Sequence, residues 1–203
     1  MHFCFVFHTG VGKQRHIVDV TSVARTLGRD HCKALMGLYC FTGEDCTSAF
    51  KGKGKIGPLK KLQKYPRFQT AFKQLSVYWR VKDKLYDCLQ EFVCLTYGYP
   101  HISSVDEVRT PMLQKMAGAE ETLTFKSKVE LSHPPPCRDS LIPHVDRVNY
   151  RVGQWEHAHV PMYELPKPED DGWMKMDGFL EPVWSRGPIL PPPPFPGGPL
   201  GHP

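Results

Sequence analysis

The apolar positions of this chain change their period several times, and each change marks an element. HFCFVF (2–7) and RHIVDV (15–20) are rich in aromatic and β-branched residues and flank the glycine-bearing HTGVGKQ. They predict a strand, a turn and a returning strand. Asp19 or Thr21 can cap a short helix, SVARTL, which Gly28 would close. A helix over 30–41 would put Ala34, Leu35, Leu38 and Tyr39 on its apolar side. Residues 68–75 also read as helical. Over 82–97, Leu85, Cys88, Leu89, Phe92, Val93 and Leu95 form a stripe that predicts a helix buried along one face. Ser104 and Glu107 frame a capping box that starts a helix reaching about Ala117. CRDSLIPHVDRVNYRVGQW predicts one more helix, with Leu141, Val145, Val148, Tyr150, Val152 and Trp155 as apolar candidates. Pro143 would sit in its first turn or kink it. Finally, Asp177-Gly178 suits the tight turn of a hairpin between 173–176 and 179–184.

The order of elements predicts an α/β fold, predominantly helical. The organisation read from it is a domain over 1–120, a linker over 121–136, a small helix-and-hairpin extension over 137–186, and a proline-rich tail over 187–203. That tail, GPILPPPPFPGGPLGHP, has the composition of disorder or polyproline II rather than of a packed core. Its PPPPFP run could dock to the aromatic groove of a proline-binding partner.

Composition changes the picture in three places. Hydrophobic residues make up 40% of the chain and charged ones 23%, which is enough to bury a core. The seven cysteines are odd in number and lack CxxC spacing, so they read as free thiols of a reducing compartment. The N-terminus lacks a basic leader and no stretch reaches membrane-spanning length, so the expected location is intracellular, without a membrane partner. A nuclear location would follow from a DNA partner.

The formal charge of +5 is unevenly spread. Lys51, Lys53, Lys55, Lys60, Lys61, Lys64 and Arg67 lie within 17 residues that hold no acid. A local field of one sign points to a polyanion more strongly than the total does. In KGKGKIGPLKKL, Gly52 and Gly54 predict a tight turn with a nearly bare backbone, and Ile56, Leu59 and Leu62 predict the inner face of a following helix. Bare backbone N–H groups and a helix start both favour a phosphate. With Lys53, Lys55, Lys60, Lys61 and Lys64 around it, such a hairpin would hold a sugar-phosphate backbone without reading bases. Binding of this kind needs no cofactor.

FTGEDCTSAFKGKGKIGPLKKLQK resembles a segment of flap-endonuclease-like (PIN-like) nucleases, in which an LLGxDY element leads into a GIGPxxAxxLI helix–hairpin–helix over about 43–64 here. Gly43 and Asp45 fall on the glycine and aspartate of that element, Gly52 and Gly54 on the hairpin glycines, and Leu59 and Leu62 on the apolar positions that follow. The resemblance implies that Asp45 is a catalytic magnesium ligand and that the hairpin binds duplex or branched DNA. The chain is similar over about residues 3–186 to a group of uncharacterised animal proteins associated with mobile elements, which carry HAFTGCDTTSAFxGKGK after GTGKxxRYIxxHEIAxxLG. Glu44 and Cys46 depart from the GCDT of that group. In the group an acidic DTDxxVL strand precedes the segment that opens this chain. The resemblance therefore implies an incomplete metal site, since two-metal cleavage needs several carboxylates. The expected function is sequence-independent DNA-backbone binding by a nuclease-derived domain without catalysis; the alternatives are a magnesium-dependent structure-specific nuclease and a protein-interaction protein or gene fragment. Asp45 can also be read as a cap for a CTSAF turn.

Other candidate sites carry less. TGVGKQ lacks the rest of a phosphate-binding loop and reads as the first hairpin turn. Cys40, Cys46 and His31 could form a zinc site only by tertiary accident, and His157 with His159 lacks a third ligand. Ser140, His144 and Asp146 hold triad residue types but crowd along one helix.

Overall fold

The computed structural model describes residues 4–117 and 133–187. Two strands, β1 (Val6–Thr9) and β2 (His16–Asp19), open the chain as an antiparallel hairpin that pairs Val6 with Asp19 and Phe7 with Val18. Seven α-helices follow among the described residues: α1 (Val20–Leu27), α2 (Arg29–Phe41), α3 (Ile56–Lys64), α4 (Pro66–Lys73), α5 (Asp83–Thr96), α6 (Val105–Ala117) and α7 (Arg138–His157). A second hairpin, β3 (Trp173–Met176) and β4 (Phe179–Pro182), comes last. The fold is thus predominantly helical with two small antiparallel hairpins. None of its described helices is long and apolar enough to cross a membrane.

Local chemistry explains most of the boundaries. The Asp19 carboxylate accepts the Ser22 N–H at 2.8 Å and caps α1. Thr21, the other candidate cap, accepts the Phe5 N–H instead. Pro66 occupies the first turn of α4, where its missing N–H costs nothing. Asp177 and Gly178 both take positive φ, +50° and +87°, as the two-residue turn between β3 and β4 requires. The capping box at Ser104 does not form; the Gln90 carboxamide accepts the Val105 N–H.

Pro143 lies inside α7, past the first turn. It has no N–H for the Asp139 carbonyl. The Arg186 backbone N–H donates to that carbonyl at 3.0 Å instead, so the helix continues through the proline.

One hydrophobic core collects α2, α4, α5 and α7. Phe41 sits at its centre, with ring centroids 5.3 Å from Phe50, 5.4 Å from Phe72 and 6.2 Å from Phe92. Leu141, Val145, Val148 and Val152 of α7 are buried in the same cluster as Ala34, Leu38, Phe68 and Leu89. The sequence placed α7 in an extension beyond a linker over 121–136. Helix α7 forms a wall of the same core, packed against α2 and α5. Residues 118–132, which include 121–132 of the expected linker, and 188–203 of the tail lie outside the described residues.

Buried polar groups fasten loops to α7. Asn149 accepts the Ser76 N–H at 2.7 Å and donates to the carbonyls of Tyr78 and Trp79. Arg147 donates to the carbonyls of Gly172 and Val183 at 3.1 and 2.6 Å, which ties the second hairpin down. Asp146 accepts from Arg186 at 2.5 Å and from the Tyr86 hydroxyl.

Burial pushes the Asp146 carboxyl up to about 6, more than Arg186, Arg147 and Arg80 pull it down. Burial, with help from Asp146, pushes Asp171 up to about 6 as well. The folded chain therefore holds protons that the unfolded chain has already lost. Stability from these groups is fully present below the ordinary carboxylate value and is lost as pH rises towards 6. The expected outcome is a falling contribution to Tm between about pH 4 and pH 6 that Asp146→Asn flattens. Thermal melts across that range check it, and an unchanged slope in the variant would assign the protons elsewhere.

Candidate nucleic-acid interface

The FTGEDC segment follows α2 directly. Gly43 takes φ +103°, and a Cβ there would meet the Ala49 backbone at 2.6 Å, so only glycine fits. A tight turn over 44–47 comes next, closed by the Thr47 N–H on the Glu44 carbonyl at 3.2 Å. The Thr47 hydroxyl accepts the Glu44 N–H and donates to the Cys40 carbonyl at 2.6 Å. No CTSAF helix exists for Asp45 to cap. Asp45 sits at the exposed tip of the turn.

The carboxylates that could join Asp45 are held elsewhere. The Glu44 side chain, 3% exposed, pairs with Arg151 at 3.4 Å and accepts the Cys46 N–H. Asp19 caps α1, and Asp30 pairs with Lys73 at 2.5 Å. The Lys73 ammonium holds the Asp30 carboxyl below its ordinary value. Among the described residues no three His, Cys, Asp or Glu side chains gather as a metal-binding group. Glu44, Asp19 and Asp30 are each engaged with another partner.

The glycine turn forms as expected, and its lysines divide into two kinds. The Lys53 N–H donates to the Phe50 carbonyl at 3.0 Å, and Gly52 takes φ +68°. A Cβ at Gly52, Gly54 or Gly57 would meet nothing within 4 Å, so the backbone here is open. Helix α3 buries Pro58 and Leu62 and packs Leu59 partly against the core. Ile56, expected on the inner face, is 65% exposed. Pro58 takes the inward position because it lies one turn before Leu62. The opposite face carries Gly57, Lys60, Lys61 and Lys64 at helical spacing.

Lys55 belongs to the structure rather than to this open face. Its ammonium donates to the Gly43 carbonyl at 2.5 Å, the Tyr39 carbonyl at 3.0 Å and the Thr42 hydroxyl at 3.3 Å. It also lies 3.9 Å from the Tyr39 ring centre. A cation on the free carbonyls at the end of α2 is stabilising. Its partial burial pulls the Lys55 pKa below the ordinary lysine value. Lys55→Ala is expected to cost about 1–2 kcal/mol and to lower Tm by about 2–8 °C, whereas Lys53→Ala should leave Tm nearly unchanged. Thermal melts of the two variants check the division.

Aromatic rings support two of the other lysines. Lys53 lies 4.5 Å from the Tyr97 ring centre and Lys64 5.4 Å from that of Tyr65. Arg67 is paired with Glu91 at 2.9 Å. Tyr97 and Thr47 escaped the sequence reading, and tertiary packing alone brings Tyr97 under Lys53.

The lesser candidates take structural places. Cys40 is buried and its thiol pushed up to about 12, chiefly by burial, and all seven cysteines are free. His157 stacks on Tyr163 at 3.9 Å and faces the Gly153 carbonyl. His144 and Asp146 bond to Phe41 and to Tyr86 and Arg186, not to each other. The TGVGKQ segment is the turn of the first hairpin, with a short 3-10 stretch at Gly12–Gln14. No family model, curated protein or solved structure matches the chain.

Proposed function

We propose that this chain binds the backbone of duplex or branched DNA, independently of sequence, through Gly52, Lys53, Gly54 and the α3 face of Lys60, Lys61 and Lys64. The observation that carries this reading is the juxtaposition of open glycine backbone with a face of α3 on which every side chain is basic. Gly57 keeps the start of that face bare, so a phosphate can approach the free N–H groups at the helix start. Lys60 and Lys64 are exposed, one helical turn apart, and suited to successive phosphates along a strand. The resemblance of the segment to the hairpin of PIN-like nucleases supports the same assignment. Lys55 drops out of the contact set because its ammonium is already bonded to the end of α2.

Asp45 is proposed to take no part in cutting in this chain. Glu44, Asp19 and Asp30 each have another partner. Binding without cleavage is the reading that fits these placements.

A salt titration of binding to a fluorescent branched DNA, with magnesium present and strand integrity read on a gel, tests the proposal. Affinity should fall linearly on a log–log plot, with a slope of about −0.9 for each phosphate contacted, while the strands stay intact. Asp45→Ala should leave both affinity and Tm unchanged. Magnesium-dependent cutting abolished by Asp45→Ala would replace the reading with a nuclease. Absence of binding at low salt would remove DNA as the partner.

A further inference from the structure

A cavity of about 410 Å3 opens between the 48–51 segment, Pro134–Pro136 and the first turns of α7. That volume lies within the range of roughly 300–1,000 Å3 usual for small-molecule sites. Lys51, Arg109 and Arg147 line it, together with Ser140 and Trp184, and among the described residues that line it none is acidic. The charged side chains of that lining are all basic, which favours an anion.

His144 lines the same cavity and is 4% exposed. Its Nε2 lies 3.0 Å from the Phe41 carbonyl, an acceptor, so Nε2 carries the hydrogen and donates. Nδ1 is then a lone pair, and it is buried without a partner among the described residues. Burial holds the ring down to about 4, so Nδ1 remains an acceptor at neutral pH. A buried acceptor left unpaired costs about 1–3 kcal/mol. A ligand that brings an N–H or O–H to it would relieve that cost.

The arginines also have donors to offer. Arg147 is buried, and its Nη1 holds the Gly172 and Val183 carbonyls. Its Nε and Nη2 have no partner among the described residues. Arg109 uses Nη1 on the Pro135 carbonyl, which fixes the guanidinium at the rim. Trp184 is 67% exposed, and its ring centre lies 5.6 Å from the Arg147 guanidinium. An exposed indole beside Arg147, in a cavity that Arg109 also lines, offers a flat apolar wall next to a phosphate donor.

We propose that this cavity binds a nucleotide. The phosphate lies on Arg109 and Arg147, the base lies against Trp184, and an N–H or O–H of the nucleotide donates to His144 Nδ1. Two sources share that chemistry: a free mononucleotide, and an unpaired nucleotide of a bound strand. The site does not depend on the lysine face of α3, so the two proposals can fail separately.

Titration of AMP, adenosine and inorganic phosphate into the full chain, followed by calorimetry and tryptophan emission, tests it. AMP should bind saturably and quench emission, and adenosine and phosphate should each bind at least ~10-fold more weakly, since each makes only part of the interactions. Arg109→Gln should weaken AMP by about 10-fold or more, as removal of a charged hydrogen-bond partner does. Trp184→Ala should weaken AMP and remove most of the quenching. Both variants leave the core intact, and their Tm values verify it. AMP binding should persist when Lys53, Lys60 and Lys64 are changed to Glu, which separates this site from the α3 face. In that background, competition by a short single-stranded oligonucleotide assigns the site to a strand, and its absence assigns it to free nucleotides. No saturable AMP binding, or binding indifferent to both variants, would overturn the proposal.

Discussion

Phe41→Ala should destabilise the fold by about 3–5 kcal/mol, a large share of the roughly 5–15 kcal/mol that holds a domain of this kind together. The side chain is 1% exposed, and Phe50, Phe72, Phe92 and His144 all pack on its ring. Those four come from the motif loop, α4, α5 and α7, so they cannot close in together on the space left by the ring. A cavity in a close-packed core removes dispersion attraction on every side. The effect should reach both candidate sites, because Phe41 is the residue before Thr42 and Gly43 and its carbonyl receives His144. Urea denaturation measures it as a fall in midpoint at constant slope. Ile56→Ala is the control: it lies in the same motif but is exposed, and its midpoint should move by no more than about 0.5 kcal/mol equivalent. Similar destabilisation in the two variants would mean that Phe41 is not the hub of the core.

Changing Lys53, Lys60 and Lys64 together to Glu should lower affinity for branched DNA by about two orders of magnitude at roughly 50 mM salt. It should also flatten the log–log salt slope by about three, one for each phosphate that is no longer neutralised. The expectation rests on counterion release, which follows the number of phosphates neutralised and ignores base sequence. The weakening should therefore be the same for unrelated sequences. None of the three side chains is needed for packing: Lys60 and Lys64 are exposed, and Lys53 is half-buried over Tyr97. Tm should stay within the range of surface substitutions. Electrophoretic shifts at several salt concentrations check the prediction, and an unchanged slope would move the DNA-binding face away from α3.

Lys55 shows why this triple variant leaves one lysine untouched. In the string KGKGK the three lysines look equivalent. Lys53 and Lys55 are separated by Gly54 alone, yet one faces outward over Tyr97 and the other reaches back onto the end of α2. A change at Lys55 would mix reduced stability with reduced charge.

Helices were legible where apolar residues recur with a period of about 3.6, as in α5 and α7. The Asp19 cap, the Asp177-Gly178 turn and the glycine hairpin at Gly52 were legible for the same reason. Each depends on residues within four positions of one another, and the chain itself supplies the partner. Pro143 was ambiguous because its outcome hangs on Arg186, far along the chain, whose N–H takes the carbonyl the proline leaves bare.

Local order along the sequence thus sets the secondary structure, the lysine-rich face of α3 and the bareness of the backbone before it. Long-range packing sets the rest: the single core that takes in α7, the withdrawal of Glu44 to Arg151 and of Asp30 to Lys73, the place of Lys55, and the cavity at His144. The physical reason is range. Backbone dihedrals and caps respond to neighbours in sequence, whereas burial, ion pairing and the shape of a cavity respond to neighbours in space, which the chain acquires only when its apolar stripes meet.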